Sequence, residues 1–277
     1  MLKKIILPIA IILFLCGCLN KTAAVRVEAV DESSSPAINM TTTAESIATV
    51  ATSDQAIIAK PKAKNVSTSS STSTKPVKKS FMVPEKLELP VAFSQQAPFA
   101  NWDVVHEETC EEASMIMSAR YFNQQKLDEQ IMEQELQKLL KWEADRGYEA
   151  DLTADQTAKI LQNYFDLRAR VSTIVTVDQI RYELANNNLI LVPAAGRELN
   201  NPNFKRPGPI YHMLIVKGYN DSEFITNDPG TRKGNGWRYK QEQFLQAIHG
   251  WGNDWVKDSV TEEKMESGAK EIIIVSK

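Results

Sequence analysis

Two runs rich in β-branched and aromatic residues, Tyr211-His212-Met213-Leu214-Ile215-Val216-Lys217-Gly218-Tyr219 and Glu223 to Asp228, are separated by the turn residues Asn220-Asp221. Such a pattern reads as a β-hairpin, so the chain must build an antiparallel sheet. In a hairpin, residues equidistant from the turn oppose one another, and opposed side chains leave the same face. His212 and Asp228 lie eight residues to either side of Asn220. Asp228 can then accept from one imidazole nitrogen of His212 while the other points outward. Asn227 projects to the opposite face by strand alternation. The register depends on turn type, and a slip of one residue is open. Pro229-Gly230 ends the second strand and keeps the carboxylate at its tip.

Upstream of the hairpin the periodicity is helical. Thr109 and Glu112 fit a capping box, and Ala113, Ile116, Met117 and Ala119 follow at helical spacing toward Phe122. Cys110 therefore sits in the first turn of a helix, where free N–H groups and the helix dipole favour a thiolate; a buried core cysteine is the plain alternative. A second helix is expected over Leu127 to Trp142. Capping boxes at Thr153–Gln156 and Thr176–Gln179 open two more, running to about Phe165 and Asn186. Extended segments are expected at 86–93, 168–175, 189–193 and 271–275, and a short helix at 240–248. Helices mostly precede strands, so the fold class is α+β rather than a doubly wound sheet.

The N-terminal part is of another kind. Lys3 and Lys4 precede an apolar run from Ile5 to Leu15, too short for a comfortable membrane span. Leu15-Cys16-Gly17-Cys18 resembles the bacterial lipoprotein lipobox. That implies a signal peptide over 1–17 and lipidation of Cys18, against an ordinary secretory signal or an uncleaved anchor. Residues 18–81 are rich in Ser, Thr, Lys and Pro and read as a disordered tether. Residues 82–277 read as one globular domain. With Cys16 in the leader and Cys18 lipidated, the exported chain carries a single free thiol, Cys110.

A thiol nucleophile needs a base, and the base needs a third group to fix its tautomer. Cys110, His212 and Asp228 supply these parts. The chain has 3 histidines. His106 is expected in the loop before Cys110, and His249, beside Trp251 and Trp255, at the surface or in the core. A net charge of −3 argues against nucleic acid as a partner. No phosphate-binding glycine loop, no His-Glu-x-x-His and no Cys-x-x-Cys pair is present, so no metal or nucleotide cofactor is expected.

The blocks 93–98, Asn101-Trp102, Cys110-Glu111-Glu112-Ala113-Ser114 and 212–219, in the order Gln96, Cys110, His212, Asp228, resemble the papain-like cysteine peptidases, in the branch related to bacteriocin leader-processing (double-glycine) peptidases. The resemblance implies the papain-like fold, with Cys110 as nucleophile, His212 as general base and then acid, and Asp228 as orienter. It also implies an oxyanion donor at Gln96, with Gln95 as the other candidate, aided by the Cys110 N–H. Many relatives read Gly-Cys-Gly-Pro where this chain reads Thr109-Cys110-Glu111-Glu112. Two carboxylates there disfavour a thiolate unless they point to solvent, as a capping Glu112 would. The expectation is a monomeric, lipid-anchored peptidase of the cell membrane or outer membrane, outside the cytoplasm. It would cleave peptides or proteins through an acyl-thioester. The alternatives are a catalytically silent peptide-binding module and a hydrolase of peptidoglycan stem peptides.

Overall fold

Seven strands, β1 (Leu87–Glu88), β2 (Arg168–Ser172), β3 (Leu189–Ala195), β4 (Tyr211–Tyr219), β5 (Glu223–Asn227), β6 (Asn235–Lys240) and β7 (Ile272–Ser276), form one antiparallel sheet in the computed structural model, which describes residues 82–277. The expected signal peptide (1–17), tether (18–81) and lipidated Cys18 lie outside the described residues. The strand order is β2-β7-β3-β4-β5-β6, and β1 pairs with the end of β4. β3 and β4 are buried along their whole length, which is why both read as nearly unbroken apolar runs. Six α-helices, α1 (Cys110–Phe122), α2 (Glu129–Ala144), α3 (Ala154–Asn163), α4 (Val177–Ala185), α5 (Gln241–Ala247) and α6 (Glu262–Glu266), and two short 3-10 helices (His106–Glu108 and Lys257–Ser259) accompany the sheet in the described residues. The α+β class and the papain-like arrangement hold. β6 and α6 are additions to the sequence reading, and most of segment 86–93 is irregular rather than strand.

The helix starts show where local rules operate. Asp128 accepts from the Ile131 N–H at the head of α2. Thr153 and Gln156 make the full reciprocal capping box of α3, and Thr176 accepts from the Gln179 N–H at α4. At α1 the expected box does not form. Thr109 has φ −107° and ψ 33°, outside the extended region that capping needs, and its hydroxyl donates to the carbonyls of Gln96 and His106, both at 3.3 Å.

The tertiary setting of α1 explains that exception. Every residue from Cys110 to Ala119 is buried, against β4, α2 and α3. A helix enclosed on all sides gains its stability from packing rather than from caps; Met115, Ile116 and Met117 each contribute about 1.5–3 kcal/mol by burial. The glutamates of its first turn have no solvent to face.

The β4–β5 register is displaced from the count. The turn comprises Asn220, Asp221 and Ser222, with the Asn220 side chain accepting the N–H groups of Ser222 and Glu223. Tyr219 therefore faces Phe224, and an irregularity between Val216 and Gly218 then leaves Val216 facing Thr226, two residues from the expected pairing. An even displacement preserves the face on which each side chain emerges. That is why His212 and Asp228 still meet.

Candidate active site

The ladder between β4 and β5 stops at Ile215–Asn227, where Asp228 and Pro229 leave the sheet. Two residues further along β4 lies Met213, paired with Pro193 of β3. Pro193 turns its carbonyl the other way, to the His249 N–H at 3.1 Å. By the alternation of antiparallel ladders, the backbone groups of Met213 face the side that β5 has vacated. α1 satisfies both. The Met213 N–H donates to Cys110 Sγ at 3.3 Å, and its carbonyl accepts from the Ser114 hydroxyl at 3.3 Å. The first turn of α1 is thus fixed to β4 immediately beside His212.

His212 is 2 % exposed, and its Nε2 lies 2.8 Å from Asp228 Oδ1. That oxygen also accepts the Gly230 N–H at 3.1 Å. Asp228 Oδ2 accepts from Asn201 Nδ2 at 2.9 Å and from the Tyr239 hydroxyl at 2.6 Å. Burial opposes the charge on Asp228, but the His212 charge and the hydrogen bonds from His212, Tyr239 and Asn201 prevail and hold it below the usual carboxylate range. A side chain at Gly230 would put its Cβ 2.8 Å from His212 Cε1, so only glycine fits there. The Phe204 ring meets the imidazole edge-on at 5.3 Å between centroids. With Nε2 engaged, Nδ1 is the nitrogen left to exchange a proton.

The other histidines have different roles. His106 is held by Asp103 at Nδ1 (2.8 Å) and Glu133 at Nε2 (2.9 Å). Burial acts to lower its pKa, but the two carboxylates raise it above the ordinary value. It ties the loop before α1 to α2. His249 is buried, with Nδ1 against the Gly268 carbonyl and Nε2 against Lys270 Nζ, each at 3.0 Å.

Cys110 and His212 line one cavity of about 790 Å³, together with Gln96 and the rings of Trp102, Phe204 and Trp251. Gln96 reaches this cavity with both amide protons engaged. Its Nε2 donates to the carbonyls of His106 (2.8 Å) and Glu107 (3.1 Å), and its buried Oε1 has no partner. Gln95 instead donates to the Pro98 carbonyl at 3.2 Å. The N–H of Cys110 opens α1 and has no intrahelical acceptor.

The carboxyls of α1 overturn the expectation that they point to solvent. Glu111 and Glu112 are each 1 % exposed. Glu111 Oε2 lies 2.9 Å from Cys110 Sγ, and its Oε1 accepts the Leu152 N–H at 3.0 Å. Glu112 meets Glu143 of α2, and each carboxyl keeps one buried oxygen without a donor. Burial, then the field of Glu143, pushes Glu112 well above the carboxylate range; burial lifts Glu143 to about 8 and Asp151 to about 6. Cys110 does not show the depressed thiol value expected at a helix start. Its burial, then Glu111 and Glu112, push it well above 9.0.

The structure joins His212 to Asp228 and places Cys110 and Gln96 along the same cavity as His212, and it adds Tyr239 and Asn201, which the sequence did not single out. Tyr239 carried a faint signal in the alternation of Trp237 and Tyr239. Asn201 sits in a loop and carried none.

The profile of the Peptidase C39-like family matches residues 88–255, more than half of the 277 residues. A solved structure from Bacillus anthracis, assigned by its name to the C39-like peptidases, aligns with a TM-score of 0.44 and 14 % identity over 70 % of this chain and 98 % of that one. No curated protein matches the chain significantly.

Proposed function

The chain belongs to the Peptidase C39-like family, and from that premise we propose that it is a cysteine peptidase of the cell envelope, held at the membrane by lipid on Cys18. Cys110, His212 and Asp228 cleave the peptide bond through an acyl-thioester. The observation that carries this reading is His212, hydrogen-bonded to Asp228 behind it and lining the same cavity as a sulfur held by the Met213 N–H.

Asp228 accepts from Nε2 of His212 and so leaves Nδ1 to take the proton from the Cys110 thiol. The thiolate attacks the scissile carbonyl, forming the S–C bond, and the carbonyl electrons move to oxygen. The Cys110 N–H serves that oxyanion, and Gln96 joins it on releasing one of the carbonyls it now holds. His212 returns its proton to the leaving amine, and water then hydrolyses the thioester. Aromatic side chains along the cavity suit a peptide with apolar residues.

A thiol-reactive activity probe tests the reading. It should label the wild type and fail on Cys110→Ala, with labelling strongly reduced in His212→Ala. Equal labelling of wild type and His212→Ala would overturn it. One observation favours a second reading, the silent peptide-binding module: burial and two neighbouring glutamates raise the Cys110 thiol.

A further inference from the structure

We propose that Glu111 works as a protonated carboxylic acid, donating a hydrogen bond from its carboxyl to Cys110 Sγ, so that the thiolate rests between Glu111 and the N–H of Met213. The inference rests on the peptidase reading and removes the obstacle that the two glutamates place before it.

Two groups converge on one sulfur: the Met213 N–H donates to it, and the thiol donates to Glu111 Oε2, a contact that reverses direction once the sulfur gives up its proton and Glu111 holds one. Glu111 Oε2 is 2.9 Å from Sγ and the Met213 nitrogen 3.3 Å. A separation of 2.9 Å is short for sulfur, whose radius exceeds that of oxygen, and marks a hydrogen bond rather than a packing contact. The second oxygen, Oε1, takes the Leu152 N–H at 3.0 Å and so acts as the carbonyl oxygen of the acid. Glu111 is 1 % exposed, and no cation bonds it among the described residues.

Burial and the acidic neighbours of Glu111 favour the neutral form, against the hydrogen bonds from Cys110 and Leu152, which favour the charged one. Glu112 lies beside it on α1, Glu143 beyond on α2, and Asp151 on the loop before α3. Tyr211 of β4 is a neutral phenol donating to the Leu152 carbonyl at 2.8 Å. Lys257, the nearby base, is paired with Glu108. Burial first, and then Glu112 and Asp151, raise Glu111 well above the carboxylate range. A proton retained on Glu111 abolishes the charge that opposes thiolate formation. It also supplies a hydrogen bond that only strengthens as sulfur gains charge, as buried protonated carboxyls do elsewhere. The proton balance closes. The thiol proton moves from Sγ to His212 Nδ1, Glu111 keeps its own, and its O–H···S bond relaxes once the S–C bond forms.

The test is iodoacetamide alkylation of Cys110 against pH in the full chain, for wild type, Glu111→Gln, Glu111→Leu and His212→Ala. It is joined by infrared difference spectra of wild type minus Glu111→Gln. The amide of Glu111→Gln can still donate, so its alkylation midpoint should stay near the wild type. Glu111→Leu loses the donor and should raise the midpoint by roughly one pH unit or more. The wild type should show a protonated-carboxyl band at neutral pH that Glu111→Gln lacks. A lowered midpoint in Glu111→Gln, with alkylation at neutral pH about tenfold faster as expected for deleting a negative charge, would overturn the proposal; so would absence of the band. If Glu111→Leu fails to fold, the band and Glu111→Gln decide. His212→Ala reports on the peptidase reading alone: an unmoved midpoint there defeats catalysis while the Glu111 result stands.

Discussion

Asp228 receives four hydrogen bonds, from His212, Gly230, Asn201 and Tyr239, whereas Glu112 and Glu143, buried between α1 and α2, are hydrogen-bonded to each other and each keep one oxygen that no donor reaches. Both regions are buried carboxyls within a few residues of the proposed chemistry. Burial acts on both in the same direction, toward the neutral acid. They differ in their neighbours: the His212 charge and then the donors His212, Tyr239 and Asn201 favour the charge on Asp228, whereas Glu112 has a second carboxyl beside it. The sheet side keeps an ionised carboxylate that fixes a histidine. The helix side keeps protons.

The largest break in this contrast is Asp228→Asn, which replaces an acceptor by an amide facing donors. By the behaviour of orienting carboxylates generally, kcat/KM should fall about 10⁴-fold, measured on any peptide the wild type cleaves. Next is Tyr239→Phe, which deletes one donor to the charged oxygen and should weaken the site by about 1.5–3 kcal/mol. With the charged form less favoured, the Asp228 pKa rises, so the acid limb of the pH–rate profile should move upward. A profile unchanged from wild type would mean that the Tyr239 hydroxyl contributes nothing to the charge of Asp228.

The helix side should be visible in stability rather than rate. Folded Glu143 titrates at about 8 and Asp151 at about 6, both above the ordinary carboxylate values of 4.5 and 3.8. The folded state therefore holds protons that the unfolded chain releases, and this contribution to stability is complete below the unfolded values and lost as pH rises toward about 8. Tm should fall as pH is raised across this window, and Glu143→Gln should flatten the curve. Asp228 runs the other way, losing its contribution only as pH drops through its lowered value. The smallest effect is Ser114→Ala, which leaves the Met213 carbonyl without a donor and should lower unfolding stability by about 1 kcal/mol in a denaturant titration.

Some of this was open to inspection in the chain itself. Turn residues flanking two apolar runs are a local signal, and the His212–Asp228 pair survived a two-residue register displacement because only parity matters to which face a side chain takes. Thr153 forms its full capping box and Thr176 its one-sided cap because both caps sit in the extended backbone conformation that capping needs. Thr109 and Glu112 match the same pattern, but α1 lies at the centre of the domain, and packing from three sides overrides the cap. Charge states were illegible for a related reason. A glutamate reads as a solvated anion until its neighbours are known, and those of Glu112 come from α2 and the loop at Asp151. Asn201 and Tyr239 reach Asp228 from 27 and 11 residues away, with no periodicity to announce them.

The early departure of β5 from the sheet has a bearing on how such a centre can vary. Sulfur occupies the slot that the next residue of a longer strand would have filled, and Pro229, which has no N–H, closes that slot to the peptide chain. The address of the nucleophile is therefore counted in residues of a neighbouring strand rather than in its own rotamer. One further rung on β5 would evict the thiol without altering a single atom of Cys110. Insertions near Asn227 should be among the most damaging in the domain, while changes of length at the Asn220–Ser222 turn that preserve parity leave the socket intact.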